Sequence, residues 1–310
     1  MTPLELPTPH QILDLRMDDG VPIRVRRHGD PNQDVRVLLS HGNGFAIDGY
    51  FPFWRLLLDR FDVIVFDFRN HGWNYPLTHP SHHTYTQFAR DLEMIHHAVM
   101  GLLGPKPTVG AFHSLSARTA IKYAVEEGWL WDALVLFDPP NVPPETHPLH
   151  EVMVNVDHRL AEWAQNRPQR FSSPSEMADL FRGLRAHQHW MDAAYELMAQ
   201  AILHRESDTG DWVLTCPGEL EASVYLSNIP LQIWPHASDF GGPVKLIAAD
   251  PTVERPGLPA QVCKLLSETN GFDYAYIPDT GHMLQLEKPE ATYQVMMSFL
   301  ASCGLISEID

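Results

Sequence analysis

Short apolar runs recur along this chain, and helical patterns separate most of them. The runs are candidate β-strands near residues 35–40, 61–66, 108–113, 133–137, 244–249 and 273–277. Buried strands that alternate with helices indicate a mostly parallel sheet with helices on both of its faces. In an earlier stretch, 12–26, apolar and polar residues alternate on both sides of Asp19-Gly20. This pattern predicts an opening β-hairpin. The spacing of these runs therefore predicts an α/β fold.

One helical pattern is strongly amphipathic, and one long interval lacks strands. In the stretch 85–103, apolar residues recur every three or four positions: Phe88, Leu92, Ile95, Val99 and Leu102. Between Asp138 and Val244 no convincing strand occurs for about a hundred residues. Helical patterns fill this interval at 150–166, 175–185, 191–205 and 219–227, and Ser173 or Ser175 is a candidate N-cap for the second of them. We interpret 139–243 as a helical cap inserted into a core formed by 1–138 and 244–310.

The run at 108–113 ends in Ser114, and a helical pattern starts directly after it. A serine at a sharp turn from strand to helix holds its hydroxyl clear of the backbone, at the positive end of a helix dipole. In the Gly-x-Ser-x-Gly form of this turn, small residues flank the serine where helix and strand meet. Here those positions hold Phe112, which must find room against the sheet, and Ser116. The simplest other role for such a serine is that of an N-cap.

Three further turns follow strand-like runs in a characteristic order. They are His41-Gly42-Asn43-Gly44, the segment 67–72 (Asp-Phe-Arg-Asn-His-Gly), and 279–282 (Asp-Thr-Gly-His). Together with the Ser114 turn, this order resembles the α/β-hydrolase superfamily over nearly the whole chain, with a less diagnostic part from 141 to 236. The resemblance implies an α/β-hydrolase fold with an inserted helical lid.

The resemblance also implies roles for individual residues. Ser114 would be the nucleophile, and His282 the base that activates it. The oxyanion of the intermediate would be held by the backbone amides of Leu115 and of Asn43, with Gly44 as the alternative to Asn43. Of the other histidines near these turns, His41 and His71 are expected to brace the two His-Gly turns. Strand alternation predicts that the side chain of His113 points away from Ser114.

The carboxylate that would orient His282 is ambiguous in the sequence. After the strand at 244–249, the family's acid position falls on Thr252, which carries no charge. Asp250 ends that strand and is the first candidate, because it begins a shortened form of the same turn. Asp138 ends the strand at 133–137 and is the second candidate, and Glu254, on a loop 28 residues before His282, is the third. The sequence leaves this choice open.

Composition narrows the classes of partner. The formal net charge of −17 argues against nucleic acid and anionic membrane surfaces. The sequence shows no apolar stretch of transmembrane length and no signal peptide, and Cys216, Cys263 and Cys303 are too far apart for a disulfide frame or a zinc site. We therefore expect a cytoplasmic protein with free thiols.

A histidine-rich stretch invites a metal-site interpretation. Its members are His79, His82, His83, His96 and His97. Their spacing matches no zinc signature, and a solvated loop next to a helix face explains them more simply. No phosphate-binding glycine motif occurs either.

The predicted activity is hydrolysis of a carboxylic ester or lactone through an acyl-enzyme on Ser114, without metal or cofactor. The partner would be a small, partly apolar substrate, and a homodimer is compatible with the sequence. The same residues could serve hydrolysis of a C–C bond or an amide, or acyl transfer. A ligand-binding protein with an inactive site is the alternative outside catalysis, and Phe112 and Thr252 are the features in its favour.

Overall fold

An eight-stranded sheet organises the protein. The computed structural model describes residues 4–75 and 82–307. In chain order, the strands are β1 (Gln11–Arg16), β2 (Pro22–Gly29), β3 (Arg36–Ser40), β4 (Asp62–Phe66), β5 (Thr108–His113), β6 (Ala133–Phe137), β7 (Arg170–Phe171), β8 (Leu203–Arg205), β9 (Trp212–Leu214), β10 (Val244–Ala248) and β11 (Asp273–Tyr276). The large sheet has the order β1-β2-β4-β3-β5-β6-β10-β11, and β7, β9 and β8 form a separate small sheet.

The register makes most of the large sheet parallel. Strands β4, β3, β5, β6, β10 and β11 pair in parallel, whereas β1 with β2 and β2 with β4 pair antiparallel. Every residue of β3, β4, β5 and β6 is buried. Strands of this kind are mostly apolar because helices cover both faces of the sheet. The mostly parallel sheet and the opening hairpin are thus confirmed.

Some of the helices cover the faces of the large sheet, and others belong to the segment 139–243. In chain order, the helices are α1 (Phe51–Trp54), α2 (Tyr85–Leu103), α3 (Leu115–Glu126), α4 (Leu149–Asn166), α5 (Pro174–Gly183), α6 (Asp192–Ile202), α7 (Gly218–Asn228), α8 (Leu258–Asn270), α9 (Leu284–Glu287) and α10 (Pro289–Ser302). Side chains of α2, α3 and α8 share one apolar cluster with one face of the sheet, and those of α1 and α10 share another cluster with the opposite face. None of the described helices is both long and apolar enough to cross a membrane.

The apolar stripe predicted for helix α2 is buried over most of its length. The side chains of Phe88, Leu92, Ile95 and Val99 are fully buried, as the spacing predicts. Leu102, the last member of the stripe, is 62% exposed. It lies in the final turn, and the chain leaves the helix at Gly104 with a positive φ of 84°. The buried stripe therefore ends one turn before the helix does.

The segment 139–243 leaves the core after β6 and returns to it at β10. It holds α4 to α7 close to the predicted positions, and the Ser173 side chain caps α5 by accepting a hydrogen bond from the Glu176 amide. It also holds the small sheet of β7, β8 and β9, so the expectation that it lacks strands is wrong. These strands are two or three residues long, too short for alternation to appear in the sequence.

Candidate active site

Parallel strands bring several turns to one edge of the sheet. The carboxyl ends of β3, β5, β6, β10 and β11 all face the same way, so the residues that follow them meet at that edge. Ser114 follows β5 and Asp138 follows β6, its neighbour in the sheet. His282 lies in the loop after β11. The topology thus gathers the residues that the sequence separates by up to 168 positions.

Ser114 occupies a strained turn between β5 and α3. Its φ of 50° and ψ of −108° lie where non-glycine residues are rare. The surrounding backbone holds this geometry: the Ser114 amide donates to the Phe137 carbonyl at 3.0 Å, and the Arg118 amide donates to the Ser114 carbonyl at 2.8 Å. The Ser114 side chain accepts no capping hydrogen bond from α3. Its hydroxyl is therefore not used as an N-cap.

The bulk of Phe112 is accommodated by a glycine two residues earlier. Phe112 is fully buried and packs edge-on against Phe66 and Trp131. A Cβ atom on Gly110 would lie 2.5 Å from Phe112 Cε2 and 2.6 Å from Leu134 Cδ2. Side chains two positions apart share one face of a strand. Compared with the Gly-x-Ser-x-Gly pattern, the glycine lies two positions further upstream, at Gly110 instead of position 112. This difference can be read directly from the sequence.

His282 contacts both a serine and an aspartate. Its Nε2 lies 3.0 Å from Ser114 Oγ, and its Nδ1 lies 2.6 Å from Asp138 Oδ2. A carboxylate only accepts hydrogen bonds, so Nδ1 carries the proton and Nε2 is free to accept from the Ser114 hydroxyl. The three side chains form one line of hydrogen bonds. This is the arrangement in which a histidine can take the proton of a serine.

The carboxylate beside His282 belongs to Asp138 and not to Asp250, the first candidate, which corrects the order of preference. Asp138 is fully buried, and its Oδ1 accepts from the Ala249 amide at 3.2 Å, which leaves Oδ2 for His282. Asp250 is occupied elsewhere: its Oδ1 accepts from the amide and hydroxyl of Thr252. Glu254 is exposed on its loop.

Asp250 instead helps to fix the loop that carries His282. Its Oδ2 accepts from the Asp279 amide at 2.8 Å, and its own amide donates to the Thr280 carbonyl. Burial would raise the pKa of Asp250, but the hydrogen bonds from Thr252 and Asp279 hold it below its usual value. Glu287 Oε2 accepts from the Gly281 amide at 2.6 Å on the other side. Two carboxylates therefore anchor the residues just before His282.

His113 also faces this site, contrary to the expectation from strand alternation. Its Nε2 lies 2.9 Å from the His282 carbonyl, so it donates there, and its Nδ1 accepts from the Tyr50 hydroxyl at 2.8 Å. The Tyr50 oxygen accepts in turn from the Gly42 amide at 3.1 Å. Each donor in this series of hydrogen bonds meets one acceptor, so the direction of every hydrogen bond is fixed. The series connects the turn after β3 to the backbone of His282, and no sequence motif predicts it.

His41 and His71 brace the two His-Gly turns, as predicted. His41 Nδ1 donates to the Gly42 carbonyl at 2.8 Å, and its Nε2 accepts from the Phe68 amide at 3.0 Å. Burial is the main reason that the pKa of His41 falls to about 4. His71 Nε2 accepts from the Gly44 amide at 3.2 Å. Gly44 therefore has no amide to offer an oxyanion, and that part of the prediction is wrong.

Two backbone amides beside Ser114 have no hydrogen-bond partner among the described residues. They belong to Asn43 and Leu115, and both residues line the same cavity as Ser114. Leu115 is the first residue of α3, where the helix leaves its amides unpaired. The Asn43 side chain is turned away, since its Nδ2 donates to the Glu221 carbonyl at 2.9 Å. A negatively charged oxygen next to Ser114 would find donors here.

The cavity at this edge measures about 530 Å³. Its lining combines Ser114, Leu115 and His282 with residues of α4, α5 and α7. Most of the lining is apolar. Pockets of this size and character hold small organic molecules.

A buried ion pair stands beside the turn after β3. Glu221 Oε2 accepts from Arg167 Nη2, and both side chains are buried. Burial raises the pKa of Glu221, and Arg167 opposes that rise. A Cβ atom on Gly44 would lie 2.7 Å from the Glu221 carboxyl group, and the φ of Gly44 is +73°. The glycine is required here by both space and backbone conformation.

Aromatic rings connect the segment 139–243 to the same turn. Phe45 lies about 6 Å, ring to ring, from Phe181, His187 and Trp190. His187 stacks on Trp190 at 4.3 Å and also lines the cavity. Burial lowers the pKa of His187 to about 4, so the ring is neutral at pH 7.

One group of donors in the described part of the chain has the spacing of a metal site. His71, His83 and Cys216 place their ligand atoms within 4.8 Å of one another. Both nitrogens of His71 are already used, since Nδ1 donates to the Arg69 carbonyl and Nε2 accepts from Gly44.

The histidine-rich stretch was expected to form a solvated loop and helix face. This expectation is wrong for His83 and His96, which are buried. His79 lies outside the described residues.

Comparison with known proteins identifies the family. A family model described as "Alpha/beta hydrolase family" matches residues 37–295. The solved structure of E-2-(acetamidomethylene)succinate hydrolase is similar, with a TM-score of 0.71 and 17% sequence identity over 94% of this chain and 99% of that one. An alpha/beta hydrolase from Novosphingobium aromaticivorans is similar with a TM-score of 0.69 and 18% identity, over 94% of this chain and 97% of that one.

A thermophilic esterase from Thermogutta terrifontis is similar with a TM-score of 0.62 and 20% identity, over 94% of this chain and 99% of that one. A search of curated protein sequences found no match. The family model spans most of the chain, and the solved structures share its fold at low sequence identity. This chain belongs to the alpha/beta hydrolase family.

Proposed function

We propose that this hydrolase is a serine hydrolase that cleaves a carboxylic ester or lactone through an acyl-enzyme on Ser114. The observation that carries the proposal is the line of hydrogen bonds from Ser114 Oγ through His282 to Asp138. A serine hydroxyl is a weak nucleophile at neutral pH and needs such a base. Asp138 would hold the His282 tautomer and stabilise the imidazolium that forms.

The proposed reaction has two halves. Ser114 Oγ attacks the carbonyl carbon while its proton passes to His282 Nε2, and the resulting oxyanion is held by the free amides of Asn43 and Leu115. His282 then gives the proton to the leaving alkoxide, so the alcohol departs and an acyl-Ser114 ester is left. Water, deprotonated by His282, cleaves that ester and releases the carboxylic acid. No cofactor takes part in this sequence.

We propose that residues 139–243 act as a cap on a core formed by 1–138 and 244–310. The cap residues of α4, α5 and α7 in the cavity wall support this division, as does the aromatic contact with Phe45. A cap would exclude water and select the substrate. The substrate would be a small, partly apolar molecule, and neither nucleic acid nor a membrane is expected as a partner. A cytoplasmic location and a homodimer stay predictions.

Neighbouring structures support the reaction class without defining the substrate. Their names include a thioesterase domain from a curacin biosynthetic pathway and carboxylesterases of Nitrososphaera gargenis. Amide or C–C bond hydrolysis and acyl transfer would use the same residues. The case for a ligand-binding protein with an inactive site is weaker, because Gly110 accommodates Phe112 and Asp138 supplies the acid that Thr252 lacks.

Covalent labelling tests the proposal. We expect a fluorophosphonate to label the wild-type protein at Ser114, identified by peptide mapping, and to label neither Ser114→Ala nor His282→Ala. A panel of p-nitrophenyl esters and lactones would then show turnover only in the wild type. Ser116→Ala is the matched control, because that hydroxyl bonds to the backbone of His113 and not to His282. A folded wild-type protein that resists labelling and hydrolyses none of these compounds would contradict the proposal.

A further inference from the structure

The cavity beside Ser114 has one polar part within its apolar lining. Tyr85, Asp157 and Tyr225 all line it. Tyr85 and Asp157 are each only 3% exposed. The two tyrosine hydroxyls and Asp157 Oδ1 make no hydrogen bond to any residue in the ranges 4–75 and 82–307. Tyr225 is half-buried. Buried hydroxyls and carboxylates normally have partners, so Tyr85 and Asp157 have capacity for a ligand, and the Tyr225 hydroxyl lines the same cavity.

The charge of Asp157 is already balanced within the protein. Its Oδ2 accepts from Asn228 Nδ2 at 3.0 Å, and Asn228 Oδ1 accepts from Arg118 Nε at 3.1 Å. The amide of Asn228 thus bridges the carboxyl group of Asp157 and the guanidinium of Arg118, so Arg118 offsets the charge of Asp157 when that group is ionised. A ligand that adds a positive charge would disturb this balance. A neutral donor would complete the hydrogen bonding of Asp157 Oδ1 and leave the balance intact.

The environment of Asp157 is consistent with an unsatisfied acid. Burial raises its pKa to about 7, although Asn228 and Arg118 act in the opposite direction. Burial raises the pKa values of Tyr85 and Tyr225, and the charge of Asp157 adds to both increases. Tyr225 lies on α7, which packs against α4, the helix of Asp157, and against α2, which begins at Tyr85.

Helix α3 and two hydrogen bonds connect the nucleophile to the polar part of the cavity. Arg118 lies four residues after Ser114 on α3, which corresponds to about 6 Å along the helix axis. Asn228 and Asp157 extend from Arg118 towards α7 and α4. The cavity lining contributed by Met153, Val156 and Val224 is apolar. A substrate that reached from Ser114 to Asp157 would share the cavity with these apolar side chains.

We infer that Tyr85, Asp157 and Tyr225 form a specificity subsite for a hydroxyl group on an otherwise apolar ester. This inference rests on the proposed function. The hydroxyl donates to Asp157 Oδ1, and the tyrosine hydroxyls donate to its oxygen. A site built to bind a hydroxyl rejects the analogue that lacks it, because the protein groups are then left unpaired.

Matched substrates test the subsite. One pair is p-nitrophenyl hexanoate and its 6-hydroxy derivative, and the other is hexyl acetate and 6-hydroxyhexyl acetate, so that each side of the ester is probed. We expect kcat/KM to favour the hydroxylated member of at least one pair by about tenfold. In Tyr85→Phe, Tyr225→Phe and Asp157→Asn the preference falls to about threefold or less. Tyr276→Phe, an exposed tyrosine outside the cavity, is the control and keeps the preference.

Three results would overturn the inference. The first is equal kcat/KM within both pairs, and the second is a preference that survives all three variants. The third is a stronger preference for p-nitrophenyl 6-aminohexanoate, since this would indicate a site for a cation.

A binding measurement separates this inference from the proposed function. Trp163 lines the cavity, so tryptophan fluorescence can follow the binding of 1-hexanol and 1,6-hexanediol. We expect the wild type to bind 1,6-hexanediol several-fold more tightly than 1-hexanol. Tyr225→Phe should bind the two alcohols with equal affinity. Ester hydrolysis without a diol preference overturns the subsite alone. A diol preference without any ester hydrolysis overturns the proposed reaction alone.

Discussion

Ser114 and Asp138 share an unusual backbone conformation, with φ values of 50° and 45°. Each follows a buried strand directly, and each is held by a backbone hydrogen bond to the next strand: Ser114 to Phe137, and Asp138 to Ile247. A positive φ costs on the order of 1 kcal/mol for a non-glycine residue, so the surrounding sheet must impose it. The strain turns both side chains out of the strand direction and towards His282.

The choice between two aspartates gives a test at the scale of a single side chain. Asp138→Asn would leave the size of the side chain unchanged but remove the charge that fixes the His282 tautomer. We expect kcat for an ester substrate to fall by about 10³ to 10⁴. Asp250→Asn keeps an oxygen for Thr252 and loses the acceptor for the Asp279 amide. Because Asp250 does not contact His282, kcat should still fall by less than about tenfold.

The comparison needs both variants in folded form, which circular dichroism and thermal unfolding establish. Rates of fluorophosphonate labelling at Ser114 provide a second measurement that does not depend on the choice of substrate. A larger loss of kcat in Asp250→Asn than in Asp138→Asn would contradict the assignment of the acid.

Strand β5 depends on a glycine to place its last residues. In Gly110→Ala, the new Cβ atom would lie 2.5 Å from the ring of Phe112. Overpacking of this kind costs about 1–3 kcal/mol, so we expect the free energy of unfolding in urea to drop by that amount. Adding Phe112→Leu to the Gly110→Ala variant should restore part of the lost free energy of unfolding, because it removes the ring that the new Cβ atom meets.

A double-mutant cycle measures this coupling. The interaction energy between the two substitutions should be at least about 0.5 kcal/mol, because the two side chains are in contact. Gly101→Ala is the matched control, since a Cβ atom there meets nothing within 4 Å. Strictly additive effects of Gly110→Ala and Phe112→Leu would show that the glycine does not make room for the ring.

The chain of hydrogen bonds through Tyr50 joins three elements around His282. In Tyr50→Phe, the Gly42 amide loses its acceptor and His113 Nδ1 loses its donor. Tyr50 and His113 would act as positioning residues, because they contact the backbone of the turn after β3 and of His282. We expect kcat to fall on the order of tenfold with KM little changed, since small displacements of catalytic groups are costly.

A purely structural role would give a different result. Tyr50→Phe would then lower the melting temperature and leave the kcat of the folded protein at 25 °C as it is in the wild type. The measurement is therefore kcat and KM at a temperature well below unfolding, with the exposed Tyr276→Phe as control.

For the molecule as a whole, local sequence patterns predict some features, and others appear only through contacts between residues far apart in the sequence. The sheet and the helices follow from apolar runs and helical periodicity, because these patterns depend on neighbouring residues. The Ser114–His282 pair, 168 positions apart, follows instead from the order of turn motifs that resembles the α/β-hydrolase superfamily. The acid could not be chosen this way: Asp138 and Asp250 both end strands, and only the contact across 144 positions separates them. Tyr50 and His113 carry no motif, so their chain of hydrogen bonds appears only once β5 and the last loop are packed together.

Buried histidines on opposite faces of the sheet predict sensitivity to acid. Burial, with a smaller effect from Arg26, lowers the pKa of His28 to about 4. Burial, with smaller effects from His97 and Arg36, does the same for His96. The unfolded chain has a histidine pKa near 6.5, so between about pH 6.5 and pH 4 it binds more protons than the folded protein. Stability is therefore lost as the pH falls through this window, by on the order of 2 kcal/mol for each histidine.

Phenylalanine at these positions removes the titrating group and keeps a ring of similar size. We expect the drop in the free energy of unfolding between pH 7 and pH 4.5 to shrink by about 2 kcal/mol in His28→Phe, and by a similar amount in His96→Phe. His28 packs on Trp54 and His96 near Trp131, in the two separate apolar clusters, so the double variant should show the sum. Asp157 titrates with the opposite sign in this window, but it is common to all variants and cancels in the comparison. His158→Gln, on the exposed side of α4, is the control. If both phenylalanine variants lose as much stability as the wild type, the acid sensitivity arises from other groups.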